Sequence, residues 1–259
     1  MKRRYCIAGN WKMNPPGAAG GLLLEMREKL DEITAVDLII CPPFTALDNA
    51  RQLFQNFRIT IGAQNLFWED KGAYTGEISA SMLSAIGVEY VIIGHSERRQ
   101  YFDDTDETVN KRMKAALKAG LKPILCLGET ESEREDGITF EVVRKQFRGA
   151  LEGIEIKELK DFMIAYEPVW AIGTGKTAKP ADAQEVHELL RKLLAEKYTF
   201  EFSESTRILY GGSVKPDNAE GLFRQPDIDG ALIGGASLST VSFRQIAEAA
   251  EFLTTNEHE

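Results

Sequence analysis

Short, unbroken apolar runs recur along the chain: Tyr5–Ala8, Leu38–Cys41, Ile59–Ala63, Tyr90–Ile93, Pro123–Leu127, Phe162–Tyr166, Ile208–Tyr210 and Ala231–Ile233. Continuous rather than alternating apolarity suits parallel strands buried on both faces. Between the runs the period lengthens to three and four residues. Leu22–Ile33, Asp106–Leu117, Glu141–Leu151, Ala183–Tyr198 and Val241–Phe252 are therefore predicted helices, and shorter helix-compatible segments follow the second, third and seventh runs. Gly120 and Gly153 stand where a helix would stop before the next strand.

Eight strand–helix units in 259 residues predict one (β/α)8 barrel domain spanning residues 1–259; that α/β fold takes about 250 residues. A doubly wound open sheet fits the same pattern, because the pattern does not say whether strand eight closes on strand one. No linker or shift in composition divides the chain. The tail Thr-Thr-Asn-Glu-His-Glu is expected to fray.

Residues 171–178, Ala-Ile-Gly-Thr-Gly-Lys-Thr-Ala, look like a nucleotide loop. A phosphate-wrapping Walker loop needs a glycine at position 170, where Trp170 stands. A dinucleotide loop needs its first glycine directly after a strand. Here Glu167 and the five residues Pro168–Ile172 intervene before Gly173. What remains is a buried strand, an acid at its end, and a long loop of apolar residues and glycine, which is the pattern of a catalytic carboxylate followed by a lid.

Composition narrows the function classes. The net charge is −9, from 31 basic and 40 acidic residues, which disfavours a nucleic-acid partner. An anionic ligand would need a local positive site. Cys6, Cys41 and Cys126 form no C-x-x-C pair and lie in or at the ends of apolar runs. They read as reduced, buried thiols of a cytoplasmic protein, with no metal site. The start Met-Lys-Arg-Arg lacks the apolar core of a signal peptide, and no run of about 18 apolar residues is present to span a membrane.

In a (β/α)8 barrel, chemistry sits where strands end. Those positions hold Asn10-Trp11-Lys12, Gly94-His95-Ser96-Glu97, Cys126-Leu127-Gly128-Glu129, Glu167-Pro168, Gly211-Gly212-Ser213 and Gly234-Gly235. Glycine pairs on neighbouring loops let backbone N–H groups approach a phosphate, although each pair alone also suits a tight turn. Glu167 becomes a stronger base when water leaves, or else serves a structural ion pair. His95 precedes a predicted short helix, whose dipole disfavours imidazolium, so a neutral ring can polarise a carbonyl. Lys12 supplies positive charge, and Asn10 either donates to a carbonyl oxygen or caps a turn. Packing accounts for Cys126. A base, an electrophile, a lysine and a phosphate grip suit proton abstraction beside a carbonyl, with no metal or redox cofactor. Two rivals use the same residues: an aldolase with Lys12 as Schiff-base lysine, and a non-catalytic phosphate-binding protein.

Ala8-Gly9-Asn10-Trp11-Lys12-Met13-Asn14, Gly94–Arg99, Ala165–Ala178, Tyr210–Val214 and Gly234–Leu238 resemble the triosephosphate isomerase family, over essentially the whole chain. The resemblance implies a cofactor-independent interconversion of dihydroxyacetone phosphate and D-glyceraldehyde 3-phosphate. It implies Glu167 as base, His95 as electrophile, Lys12 and Asn10 as substrate holders, and Glu97 as partner of Lys12. Gly173, Ser213, Gly234 and Gly235 would grip phosphate, and 168–178 would be the lid, held shut by Tyr210 and Ser213. It also implies a homodimer through loop 64–77, with Thr75 reaching Asn10 and Lys12 of the partner subunit. Pro15-Pro16 and Tyr74 depart from the usual family pattern.

Overall fold

All eight apolar runs are strands, and the sheet they form closes on itself. The structure is a computed structural model and describes residues 3–15, 17, 20–172 and 177–256. Strands β1 (Cys6–Asn10), β2 (Asp37–Cys41), β3 (Ile59–Ala63), β4 (Tyr90–Ile93), β5 (Lys122–Leu127), β6 (Met163–Tyr166), β7 (Arg207–Tyr210) and β8 (Gly230–Ile233) follow one another around a barrel. Every neighbouring pair is parallel. Cys6 of β1 pairs with Asp37 of β2 on one side and with Gly230 of β8 on the other. That second pairing removes the open-sheet alternative.

Eleven α-helices lie among the described residues: α1 (Gly21–Leu30), α2 (Leu47–Leu53), α3 (Ala80–Ala85), α4 (Ser96–Tyr101), α5 (Asp106–Lys118), α6 (Glu131–Glu135), α7 (Thr139–Ala150), α8 (Pro180–Lys197), α9 (Phe200–Ser205), α10 (Pro216–Phe223) and α11 (Thr240–Thr255). Gly120 and Gly153 take the left-handed conformation expected of them, at φ 76° and 67°.

The strands are apolar throughout because both faces are covered. One face packs against the helices. The other fills the barrel with Cys6, Ala8, Ile39, Cys41, Ile92, Cys126, Ala165 and their neighbours. All three cysteines are free, buried and inside the barrel. The apolar run stops at Ala8, and β1 continues through Gly9 to Asn10, where the strand end was expected. The ladder with β2 runs on to Asn10 opposite Cys41 and so fixes the Asn10 backbone in the sheet. No described helix is long and apolar enough to cross a membrane.

Candidate active site

Glu167 follows β6 directly and is almost wholly buried, at 1% exposure. Its backbone N–H continues the ladder to the Leu127 carbonyl at 2.8 Å. Two glycines make room for it. A Cβ at Gly128 would stand 1.8 Å from the Glu167 carbonyl oxygen, and one at Gly211 would stand 2.9 Å from its Cγ. The carboxylate is held at both oxygens: His95 Nε2 lies 2.9 Å from Oε1, and the Ser96 N–H donates to Oε2 at 2.9 Å.

His95 caps α4, and its Nδ1 accepts the Glu97 N–H at 3.2 Å. That nitrogen needs its lone pair for the bond, so the proton belongs on Nε2, facing Glu167. Burial lowers the pKa of His95, but the Glu167 charge and hydrogen bond outweigh it and leave the pKa raised. Burial works the other way on Glu167, where His95, the Ser96 N–H and Lys12 overcome it and leave the pKa lowered. The two directions agree: the pair favours an anionic carboxylate accepting a hydrogen bond from the ring N–H. The helix-dipole argument from sequence contained only part of this balance, because it had no carboxylate 2.9 Å away.

Lys12 is held from three directions. Its φ is 51°, which a non-glycine residue adopts only when its surroundings enforce it. Its N–H donates to Asn10 Oδ1 at 3.0 Å, Gln64 Nε2 donates to its carbonyl at 2.9 Å, and its Nζ meets Glu97 Oε1 at 2.5 Å. Gly234 lies against its stem: a Cβ there would stand 3.1 Å from Lys12 Cε. Gly235 opens a 3-10 turn, Gly235–Leu238, and a Cβ on it would meet open space. Ser213 is half-buried, its carbonyl receiving Asn218 Nδ2 at 3.1 Å. The structure thus links Asn10, Lys12, Glu97, His95 and Glu167 by direct contacts, with Gly234 against them. Gly173 and the rest of 173–176, within the expected lid, and Pro16 lie outside the described residues.

Glu129 stands at a strand end, but the sequence alone gives it no role. Buried Glu129 accepts the Tyr166 hydroxyl at 3.0 Å and the Trp170 indole N–H at 2.9 Å, and its carbonyl accepts the Val169 N–H at 3.1 Å. It thereby ties down Val169 and Trp170, at the head of the segment expected to be a lid. Burial raises its pKa. At the other end, the buried Tyr210 hydroxyl faces the Ala178 backbone without a hydrogen bond of ordinary length. Cys126 packs beneath Glu167, and burial first, then the Glu167 charge, raise its thiol pKa well above the usual range. A cavity of about 1250 Å³ opens beside Glu167, between Ser96, Gly128 and Trp170.

The family model for triosephosphate isomerase matches residues 5–250. The chain belongs to the triosephosphate isomerase family. Its relatives include the triosephosphate isomerases of Alkaliphilus metalliredigens, 54% identical over 93% of this chain and 97% of that one, and of Moorella thermoacetica, 54% identical over 94% and 98%. The enzyme of Carboxydothermus hydrogenoformans is 51% identical over 95% of this chain and 98% of its own. Members of the triosephosphate isomerase family are matched here along nearly their full length, so the whole barrel, and not only its mouth, is shared.

Proposed function

We propose that Glu167, His95, Lys12 and Asn10 carry out the family's reaction at this barrel mouth, beneath a closing lid. The reaction itself follows from family membership: the chain is an aldose–ketose isomerase that interconverts dihydroxyacetone phosphate and D-glyceraldehyde 3-phosphate without a cofactor. It thereby serves glycolysis and gluconeogenesis, and the cytoplasm is its proposed location.

The observation that carries the assignment of roles is the buried Glu167 carboxylate 2.9 Å from His95 Nε2. Glu167 takes the proton from C1 of dihydroxyacetone phosphate and returns it to C2. His95 donates from Nε2 to the carbonyl oxygen as the enediolate forms, then moves that proton between the two oxygens. Lys12 offsets the negative charge, and Asn10, whose Oδ1 is taken by the Lys12 N–H, has its Nδ2 left to donate. Backbone N–H groups at Gly173, Ser213, Gly234 and Gly235 grip the phosphate. In the structure Glu167 is parked on Ser96, so it must release that N–H to reach carbon.

The lid reading rests on its two ends. Trp170 is seated on Glu129, and the Tyr210 hydroxyl waits beside Ala178. Closure would exclude water from the enediolate and hold the phosphate.

A homodimer is proposed through loop 64–77. Leu66 of that loop is buried, and Phe67 stacks on Trp68 and Tyr74 at 4.2 and 4.8 Å, so the loop is partly self-packed. Tyr74 remains 45% exposed, and Met13 after β1 and Tyr101 and Phe102 at the end of α4 are 95%, 68% and 61% exposed. Large apolar side chains left in water around one side of the mouth favour a partner there. The decisive experiment is glyceraldehyde 3-phosphate isomerisation with and without chelator, followed by borohydride. Chelator-resistant turnover with no trapped adduct is expected. A reduced adduct on Lys12 would support the aldolase rival, and ligand binding without α-proton exchange would support the binding protein.

A further inference from the structure

Helix α8 begins just beyond the lid and carries His187, which is wholly buried. Its ring meets Tyr166 edge-on, with centroids 5.9 Å apart at 84°, and Tyr210 at 6.5 Å and 36°. Those two tyrosines serve opposite ends of the lid. Tyr166 bonds Glu129, which seats Trp170, and Tyr210 faces Ala178.

The ring between them is itself fixed. Its Nδ1 lies 3.0 Å from the Asp227 carbonyl, an acceptor, so Nδ1 carries the hydrogen. Asp227 is gripped in turn by Arg191 Nε at 3.0 Å and by Gln184, which donates from Nε2 at 2.7 Å and accepts the Asp227 N–H at 3.1 Å. Among the described residues His187 Nε2 has no hydrogen-bond partner. An imidazole with one orphaned nitrogen is a poorer filler than an apolar side chain would be. Its flat ring, seated between two tyrosines, is what an aliphatic filler would not supply.

We propose that His187 is a positioning residue for the lid: its ring is a wedge that spaces Tyr166 and Tyr210 and so sets the balance between the hinge seat on Glu129 and the closing seat at Ala178. The proposal rests on the lid reading above. It concerns flux as well as stability, because a lid that closes poorly exposes the enediolate. Its electron pair then expels phosphate by breaking the C–O bond, and the resulting enol tautomerises to methylglyoxal.

The test uses the full chain and measures kcat, KM, methylglyoxal fraction and Tm for three variants. His187→Asn keeps an N–H donor for Asp227 but removes the ring, and kcat should fall and the methylglyoxal fraction rise, each by about three- to tenfold. His187→Phe keeps the ring and loses the hydrogen bond; Tm should fall, with the methylglyoxal fraction held within about twofold of the unmodified chain. If His187→Asn does not fold, His187→Leu, which fills volume without a flat face, is judged by the same criterion. A folded His187→Asn with unchanged kcat and methylglyoxal fraction overturns the proposal, as does a His187→Phe that leaks as much as His187→Asn. Tyr210→Phe separates the two ideas. A methylglyoxal rise there without one at His187 overturns the wedge alone, whereas no rise at Tyr210→Phe removes the lid reading and the wedge with it.

Discussion

Glu167 Oε1 lies 2.9 Å from His95 Nε2, so the proposed base and the proposed electrophile are in contact before substrate arrives. The shared proton keeps Glu167 anionic and His95 oriented. Removing the charge at Glu167 should therefore disable proton transfer while leaving the mouth intact. Glu167→Gln should lower kcat by about 10²–10⁴, the usual worth of a general base, with little change in KM. Steady-state kinetics check this, and near-unmodified turnover would take Glu167 out of the mechanism.

Lys12 is a cation held in a strained conformation beside Gly234, just after β8, in a chain of net charge −9. Lys12→Met should raise KM for either triose phosphate by at least about tenfold, the low end for a charged hydrogen bond. Lys12→Arg restores the charge but not the fit against Gly234, and should recover part of the loss. An unchanged KM in Lys12→Met would refute the electrostatic role.

How much of this was legible in the sequence follows from how locally each feature is encoded. Strands buried on both faces announce themselves as unbroken apolar runs, and strand ends in a barrel locate Glu167, His95 and Lys12. Gly128 and Gly211 stood at the right strand ends, but only coordinates show that Gly128 yields to the Glu167 backbone and Gly211 to its side chain. Glu129 is one acid among 40 acidic residues until its Tyr166 and Trp170 bonds appear. His187 lies inside a helical pattern that gives no sign of its partners, which come from β6, β7 and the Asp227 turn. The raised pKa of His95 depends on Glu167, 72 residues away along the chain (167 − 95).

His187 has a pH consequence of its own. Burial, with Arg191 nearby, lowers its pKa from 6.5 to about 4, although the Asp227 carbonyl opposes the shift. The folded chain therefore binds fewer protons here than the unfolded chain between those values. Stability should be full above pH 6.5 and fall as pH drops toward 4, by at most about 3 kcal/mol from this one group. Thermal melts of the chain and of His187→Phe across that window give the contribution by difference. Parallel Tm–pH curves would show that His187 is not neutral in the fold.

Tyr74 and Thr75 are exposed at the tip of loop 64–77, while Arg112 Nε anchors the loop base through the Leu66 carbonyl at 2.9 Å. A charge at the tip should thus weaken association without unfolding the loop. Tyr74→Asp or Thr75→Glu should raise the dimer dissociation constant by at least about tenfold, the effect of 1.4 kcal/mol, and lower activity in step with dissociation. Sedimentation and turnover over a common dilution series test the link. An unmodified chain that is monomeric and fully active at micromolar concentration would overturn the homodimer.

The proposed lid makes the last prediction. An enediolate next to a phosphate ester eliminates phosphate readily when its C–O bond can swing out of the enediolate plane. Seating Trp170 on Glu129 fixes one hinge, and the Tyr210 hydroxyl stands ready at the other. The tip within 171–175 would then act twice, by excluding water and by holding the phosphate in plane through Gly173. Deleting tip residues while keeping Pro168–Trp170 and Thr177–Ala178 should slow isomerisation by at least about 10²-fold, the scale of lost positioning, and divert part of the flux to methylglyoxal and free phosphate. Both products can be measured in one reaction against the same substrate loss. Slower turnover with no rise in methylglyoxal would leave the tip as a binding contact alone, and residues 168–178 would not be a lid.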